Sequence, residues 1–284
     1  MRKTASHDNA DKPRTIFIRR HSIATRLTHW VNVLCLSVLL LSGLQIFNAH
    51  PELYWGHYGA NGDPALLTIG AVEEAGEPRG FVRIAGLEVP TTGVLGVSTV
   101  EREQTARAFP NWITLPSFQD LAAGRRWHFF FAWLFVINGA LYLGIGLLSG
   151  HFRRDLAPQV RELSPRHLGR EVLDHARLRF PEGDEARHYN ALQKLTYLAV
   201  IVVLLPLMVL TGLTMSPGVD AALPALVDLF GGRQSARTIH FITASALVLF
   251  VVVHVAMVIL SGTWNNIRSM ITGRYAITEK GPQS

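Results

Sequence analysis

The chain has 284 residues, of which 49% are hydrophobic before its 24 glycines are counted and 17% are charged, against roughly 25% charged in soluble domains. That balance argues against an ordinary soluble enzyme, and the single cysteine, Cys35, rules out an internal disulfide framework, a Cys-ligated iron–sulfur cluster and a Cys-rich zinc site within the chain. The formal charge of +6 is compatible with nucleic acid until the charges are placed.

The apolar residues fall in four blocks, each long enough to cross a hydrocarbon core about 30 Å thick with about 20 helical residues. The predicted fold class is therefore an all-α integral membrane protein, a four-helix transmembrane bundle read as a single domain over 1–284. A polar segment with Arg19 and Arg20 comes first. No small-residue cleavage site follows the apolar run after it, so these arginines read as juxtamembrane rather than as a twin-arginine signal. The first span is predicted at 29–47. An outer loop of approximately 80 residues, 48–126, follows, with turn-rich sequence from Gly56 to Pro64 and a hairpin expected around Phe81 to Val89. The second span is predicted at 127–149. The connection 150–192 contains Ser164-Pro165, an N-cap and first-turn pair, ahead of Leu168, Val172, Ala176 and Phe180, which predicts a short interfacial helix with arginines on its other face. The third span, 195–215, carries Pro206 and should be kinked there. The fourth is predicted at 239–261. No internal repeat is evident.

Lysine and arginine set the orientation. Nineteen of the 27 lie in the N-terminal segment, in the 150–192 connection, at Lys194 where the third span opens and in the C-terminal tail, and eight lie in the opposite connections. Both termini are expected in the cytoplasm of a bacterial inner membrane, with 48–126 periplasmic. Split this way, the positive charge orients the chain and calls for no nucleic acid.

Four of the twelve histidines lie in or at the mouths of the spans: His29, His128, His240 and His254. An ionisable side chain within a span, as at His254, is a functional candidate by default. His240 and His254 are 14 residues apart, which returns to within about 40° of the same helix face about 21 Å further along the axis. Running the spans in alternate directions brings His29 to the level of His254 and His128 to that of His240. Zinc or di-iron chemistry needs three or four ligands per site. Haem iron needs two axial ligands, so two bis-histidine haem b groups satisfy the count, the faces and the depths.

An arginine precedes three of these histidines by three residues: Arg26, Arg125 and Arg237, with Arg126 beside the second. They could pair with haem propionates or snorkel at helix ends. Gly43, Gly139 and Gly146 fall near a ligand's face, either as gaps for a flat macrocycle or as sites of close helix packing.

Arg26-Leu-Thr-His29-Trp30, Arg126-Trp-His128, Tyr189-Asn190-Ala-Leu-Gln193-Lys194 and the His240 to His254 spacing together resemble the membrane di-haem cytochrome b subunits of nickel–iron hydrogenase and formate dehydrogenase, including thiosulfate-reductase-type subunits. The resemblance covers the four-helix core. It implies haems held by the first and fourth helices on the inner side and the second and fourth on the outer side, with electrons passing between a catalytic partner and membrane quinone. It further implies a quinone pocket lined by Asn190 and Gln193, for which helix capping is the alternative reading. The longer outer loop, with His50-Pro-Glu-Leu-Tyr-Trp-Gly56, departs from those subunits and looks more like the branch that accompanies periplasmic molybdopterin oxidoreductases. The implied partner is a periplasmic molybdopterin or iron–sulfur protein. His50 and His57 are expected to be solvated or partner-facing; His151, His167, His175 and His188 are expected on a polar face, one of them a candidate proton relay.

The resulting expectation is an electron-transfer subunit of a membrane oxidoreductase rather than a stand-alone catalyst. A proton-conducting transporter using buried histidines is the alternative, and it predicts an ionisable pathway or broken-helix repeats that the sequence lacks. Gly144-Ile-Gly146 lies within an apolar helix and is no dinucleotide fingerprint.

Overall fold

A computed structural model describes residues 14–60, 63–100, 103–177 and 190–279. Phe180, His188 and Tyr189 lie outside the described residues. The fold is mostly helical, and among the described residues four helices are long and apolar enough to cross a membrane: α1 Ile23–Phe47, α2 Leu121–Leu148, the composite third span Ala191–Thr214, and Arg233–Leu260.

Strand β1 (Arg14–Arg19) precedes α1. Between α1 and α2 the chain forms β2 (Glu52–Leu53), β3 (Leu67–Glu74), β4 (Glu77–Ile84) and β5 (Leu87–Pro90) in one antiparallel sheet, then the ribbon β6 (Val97–Val100) and β7 (Glu103–Ala106). The expected hairpin is the β4–β5 pair, with Val82 opposite Val89. After α2 come α3 (Pro165–Ala176), then α4 (Ala191–Leu198) and α5 (Leu205–Thr214), which make up the third span. Two short helices, α6 (Pro217–Ala222) and α7 (Pro224–Leu229), lead into α8 (Arg233–Leu260), followed by α9 (Thr263–Thr272) and β8 (Arg274–Glu279), which pairs antiparallel with β1.

All four spans begin four to six residues before their predicted starts because polar groups cap them. The Ser22 hydroxyl accepts the Thr25 N–H at 3.1 Å, and the Asp120 carboxylate accepts that of Ala123 at 2.8 Å. The first turn of α8 is capped by chain from elsewhere: the Gly56 carbonyl accepts from the N–H groups of Gln234 at 3.0 Å and Ser235 at 3.2 Å. The third span carries its irregularity where proline demands it. Pro206 has no N–H to give, and the turns before it, Ala199–Leu204, widen to π-helical bonding between α4 and α5.

Contacts gather the chain into two units, and each of the four spans contributes to both. The first holds the described residues through His29, those of Leu141–Val202 and those from Leu249 onward; it contains the β1–β8 ribbon, α3, α4 and α9. The second is Trp30–Ala140 with Val203–Val248. Two apolar clusters build it. Phe47, Leu53, Ile69 and Ala108 join the sheet to the end of α1, with Phe241 of α8 packed against them. Cys35, wholly buried, packs with Phe131 and Phe135 between α1 and α2.

Candidate functional site

The four span histidines come together as two pairs, one within each unit. His29 and His254 place their ring centroids 6.4 Å apart with planes 53° from parallel. His128 and His240 also stand 6.4 Å apart, at 61°. Two imidazoles bound to opposite sides of one metal through nitrogen bonds of about 2 Å hold their centroids roughly 6 Å apart, so both pairs have the span that bis-imidazole ligation of one iron requires. Among the described residues no group of three or more His, Cys, Asp or Glu could hold a metal ion. The donor set therefore fits haem, whose macrocycle supplies the other four ligands.

The surroundings of the His128–His240 pair are specific. Ser42 Oγ lies 3.1 Å from Nδ1 of His128, and Thr211 Oγ1 lies 3.0 Å from Nδ1 of His240. The next residue in each case is glycine. A methyl group added at Gly43 would stand 3.4 Å from Cε1 of His128, and one at Gly212 would stand 3.4 Å from Cε1 of His240. Ser42, Thr211 and Gly212 did not stand out in the sequence. The signal that could have found them is a short repeat, Leu41-Ser42-Gly43-Leu44 in the first span and Leu210-Thr211-Gly212-Leu213 in the third. In the other pair, His254 stacks on Phe250 of its own helix at 5.7 Å.

Of the glycines expected near ligands, Gly43 alone abuts one. Gly139 faces open space, and Gly146 is filled by the ring of Phe152.

The arginines have partners that spacing does not reveal. Arg26 Nη1 donates to the Ile271 carbonyl at 2.5 Å, placing a cation at the C-terminal end of α9, where the helix dipole favours it. Arg237 donates through Nη1 to the Glu52 carbonyl at 3.0 Å and through Nη2 to the His50 carbonyl. Its guanidinium thus fastens the 50–53 segment to α8. Arg125 lies over the Phe129 ring, 5.6 Å from its centroid, and Arg126 is exposed. Sequence spacing also missed Arg107, a buried cation whose Nη groups donate to the Ser117 carbonyl at 2.8 Å, Gln45 Oε1 at 2.7 Å and Thr114 Oγ1 at 2.7 Å. Burial among neutral acceptors holds its pKa below the usual guanidinium value.

Asn190 and Gln193 form a reciprocal cap on α4. The Gln193 N–H donates to Asn190 Oδ1 at 2.8 Å, and the Asn190 N–H donates to Gln193 Oε1 at 3.3 Å. Glu171 of α3 accepts the next N–H groups, from Ala191 at 3.2 Å and Leu192 at 2.7 Å.

The remaining histidines differ from one another. His50 stacks on Tyr54 at 5.8 Å and lies 3.9 Å from Glu52; the buried Tyr54 hydroxyl donates to Glu52, and burial with that contact pushes its pKa up to about 12. His57 lies 6.2 Å from Tyr58 by ring centroid. His151 is 2.7 Å from Asp155, and His167 is 3.0 Å from Glu171. His21, ahead of α1, was not singled out from sequence. Burial pushes it down to about 4, and the charges of Arg20, His29, His151 and Arg26 act in the same direction.

The profile of the prokaryotic cytochrome b561 family matches residues 20–273. A relative in Azospira oryzae, provisionally named protein-methionine-sulfoxide reductase subunit YedZ1, is 40% identical over 235 residues, which is 83% of this chain and 87% of that protein. No solved structure matches the chain. With four membrane-crossing helices and two facing imidazole pairs, the chain belongs to the prokaryotic cytochrome b561 family, as a haem-binding electron-transfer subunit of a membrane oxidoreductase.

Proposed function

We propose that the chain binds two haem b groups, one between His29 and His254 and one between His128 and His240, and relays electrons across the bacterial inner membrane between the quinone pool and a periplasmic oxidoreductase. The observation that carries this reading is the equal 6.4 Å spacing of the two imidazole pairs. Bound haem supplies one-electron chemistry at iron; the chain supplies the axial nitrogens, excludes water through its apolar spans and tunes the potential through groups beside the ligands. Charge distribution supports cytoplasmic termini and a periplasmic 48–126 connection. The name of the Azospira relative supports a partner that reduces oxidised methionine, and the sequence resemblance supports the molybdopterin class for it. Such a partner consumes two electrons and two protons per sulfoxide and releases a thioether and water, so electrons would leave quinol and flow outward.

A dithionite-reduced minus oxidised spectrum, with haem quantified per chain, tests the core of this proposal. Two b-type haems are expected, and His254→Ala and His240→Ala should each remove about one equivalent while leaving the other at its own potential. Absence of b-type absorbance would overturn the reading. For quinone, Asn190→Asp and Gln193→Glu retain the capping geometry but change what the side chains offer a carbonyl. They should slow haem oxidation by a quinone analogue with haem content intact; unchanged kinetics would reject a pocket at that helix start.

A further inference from the structure

Ser42 and Thr211 both lie wholly buried, one on α1 and one on α5, and each meets Nδ1 of a different histidine. The direction of these hydrogen bonds follows from the hydroxyl's single proton. Ser42 Oγ donates to the Val38 carbonyl at 2.6 Å, and Thr211 Oγ1 donates to the Leu207 carbonyl at 2.6 Å. With that proton committed one turn back along its own helix, each oxygen can offer the imidazole only a lone pair. The imidazole must then be the donor.

We propose that Ser42 and Thr211 are paired positioning residues, which accept the Nδ1–H of His128 and His240 and so fix both rings in the tautomer that leaves Nε2 free to bind iron. Gly43 and Gly212 complete the device. The ring edge approaches to where a side chain would begin, and the small residue after each hydroxyl lets the imidazole close onto it. Two helices that are separate in sequence therefore present the same four-residue arrangement, Leu-Ser-Gly-Leu and Leu-Thr-Gly-Leu, to the two faces of one site. A hydrogen bond accepted from Nδ1–H makes the ligand more basic and favours the oxidised metal, which lowers the reduction potential. Removing the acceptor raises it. Each tenfold loss of ferric relative to ferrous affinity corresponds to about 59 mV for a one-electron couple.

The inference rests on His128 and His240 being axial ligands, and one experiment separates the two claims. Potentiometric titration of the purified full chain, followed optically and by electron paramagnetic resonance, is compared across wild type, Ser42→Ala, Thr211→Val, Ser42→Thr, Thr211→Ser and His240→Ala. In Ser42→Ala and in Thr211→Val one of two haem potentials should rise and its ferric signal should shift, with the second haem unmoved. The variants that keep a hydroxyl, Ser42→Thr and Thr211→Ser, should titrate like wild type. Unmoved potentials in both hydroxyl-free variants, or equal shifts in Thr211→Ser and Thr211→Val, would overturn the proposal while leaving the ligands assigned. If Thr211→Val loses a haem outright, retention at the native potential in Thr211→Ser upholds the proposal, and loss in both overturns it. Retention of both haems in His240→Ala would overturn the ligand assignment and this proposal with it.

Discussion

The carboxamides of Asn32 on α1 and Asn138 on α2 meet directly, Asn138 Nδ2 donating to Asn32 Oδ1 at 2.7 Å, with Asn138 only 6% exposed. In an apolar span an amide that loses its partner has no water to turn to. Polar contacts between membrane helices are nevertheless modest, because the alternative states also find partners. Asn138→Leu should therefore cost about 1 kcal/mol, and Asn32→Leu combined with Asn138→Leu less than the sum of the two single changes. Unfolding in mixed detergent, followed by far-ultraviolet circular dichroism, measures both.

Arg237 connects α8 to the 50–53 segment through two carbonyls, and its guanidinium lies 5.6 Å from the centroid of the Phe47 ring. Hydrogen bonds from a charged donor are worth about 1.5–3 kcal/mol. Arg237→Gln should cost on the order of 2 kcal/mol in stability and accelerate amide exchange in 52–54, with the haem count unchanged. Loss of haem with undisturbed exchange would instead mark Arg237 as a propionate anchor.

The glycines beside the ligand pair predict a graded response. Gly43→Ala and Gly212→Ala bring a methyl to 3.4 Å from an imidazole carbon and should retain haem with small spectral change. Gly43→Val or Gly212→Val pushes branched carbons into the ring and should lose the haem of that pair alone. Gly139→Ala, which meets nothing within 4 Å, is the control and should stabilise α2 by up to about 1 kcal/mol through helix propensity.

His21 predicts an acid limit. Its pKa in the fold is about 4 against an ordinary 6.5, so the unfolded chain binds the extra proton in the interval between them. The stability tied to neutral His21 is complete above about pH 6.5 and is lost as pH falls toward 4. Thermal midpoints of the wild-type chain should fall between pH 7 and pH 4.5, and His21→Gln should flatten part of that fall. Parallel curves for the two proteins would show that other groups carry the acid sensitivity.

How much was legible in advance varies with the range of the interaction. The spans, the proline irregularity, the Ser164-Pro165 helix start and the β4–β5 hairpin are local, and local sequence carries them. The pairing of histidines was also readable, since α8 is unbroken from Arg233 to Leu260 and keeps His240 and His254 in helical phase. Helix starts were read too late because Ser22 and Asp120 sit in polar sequence that hydropathy assigns to the connections. Spacing placed the charges of Arg26 and Arg237 beside the ligands but could not show the Ile271, Glu52 and His50 carbonyls that the fold brings to them. Ser42 and Thr211 were invisible for a related reason: a hydroxyl bonded to its own helix is ordinary in an apolar span, and acquires meaning only when an imidazole arrives from another helix.

The cap on α8 bears on how this protein can be rebuilt. The Gly56 carbonyl receives the first N–H groups of the helix, Ser235 Oγ accepts the Gly56 N–H at 2.7 Å, and Thr238 donates to the Tyr54 carbonyl at 2.6 Å. Gly232, at φ +114, approaches Gly56 so closely that an added methyl would stand 2.5 Å from its carbonyl carbon. Residues 50–56 and 232–238 are thus one interchangeable part, although about 180 positions apart in the chain. A chimera that takes its 48–120 connection from a relative should splice after residue 56, or import the opening turns of α8 along with it.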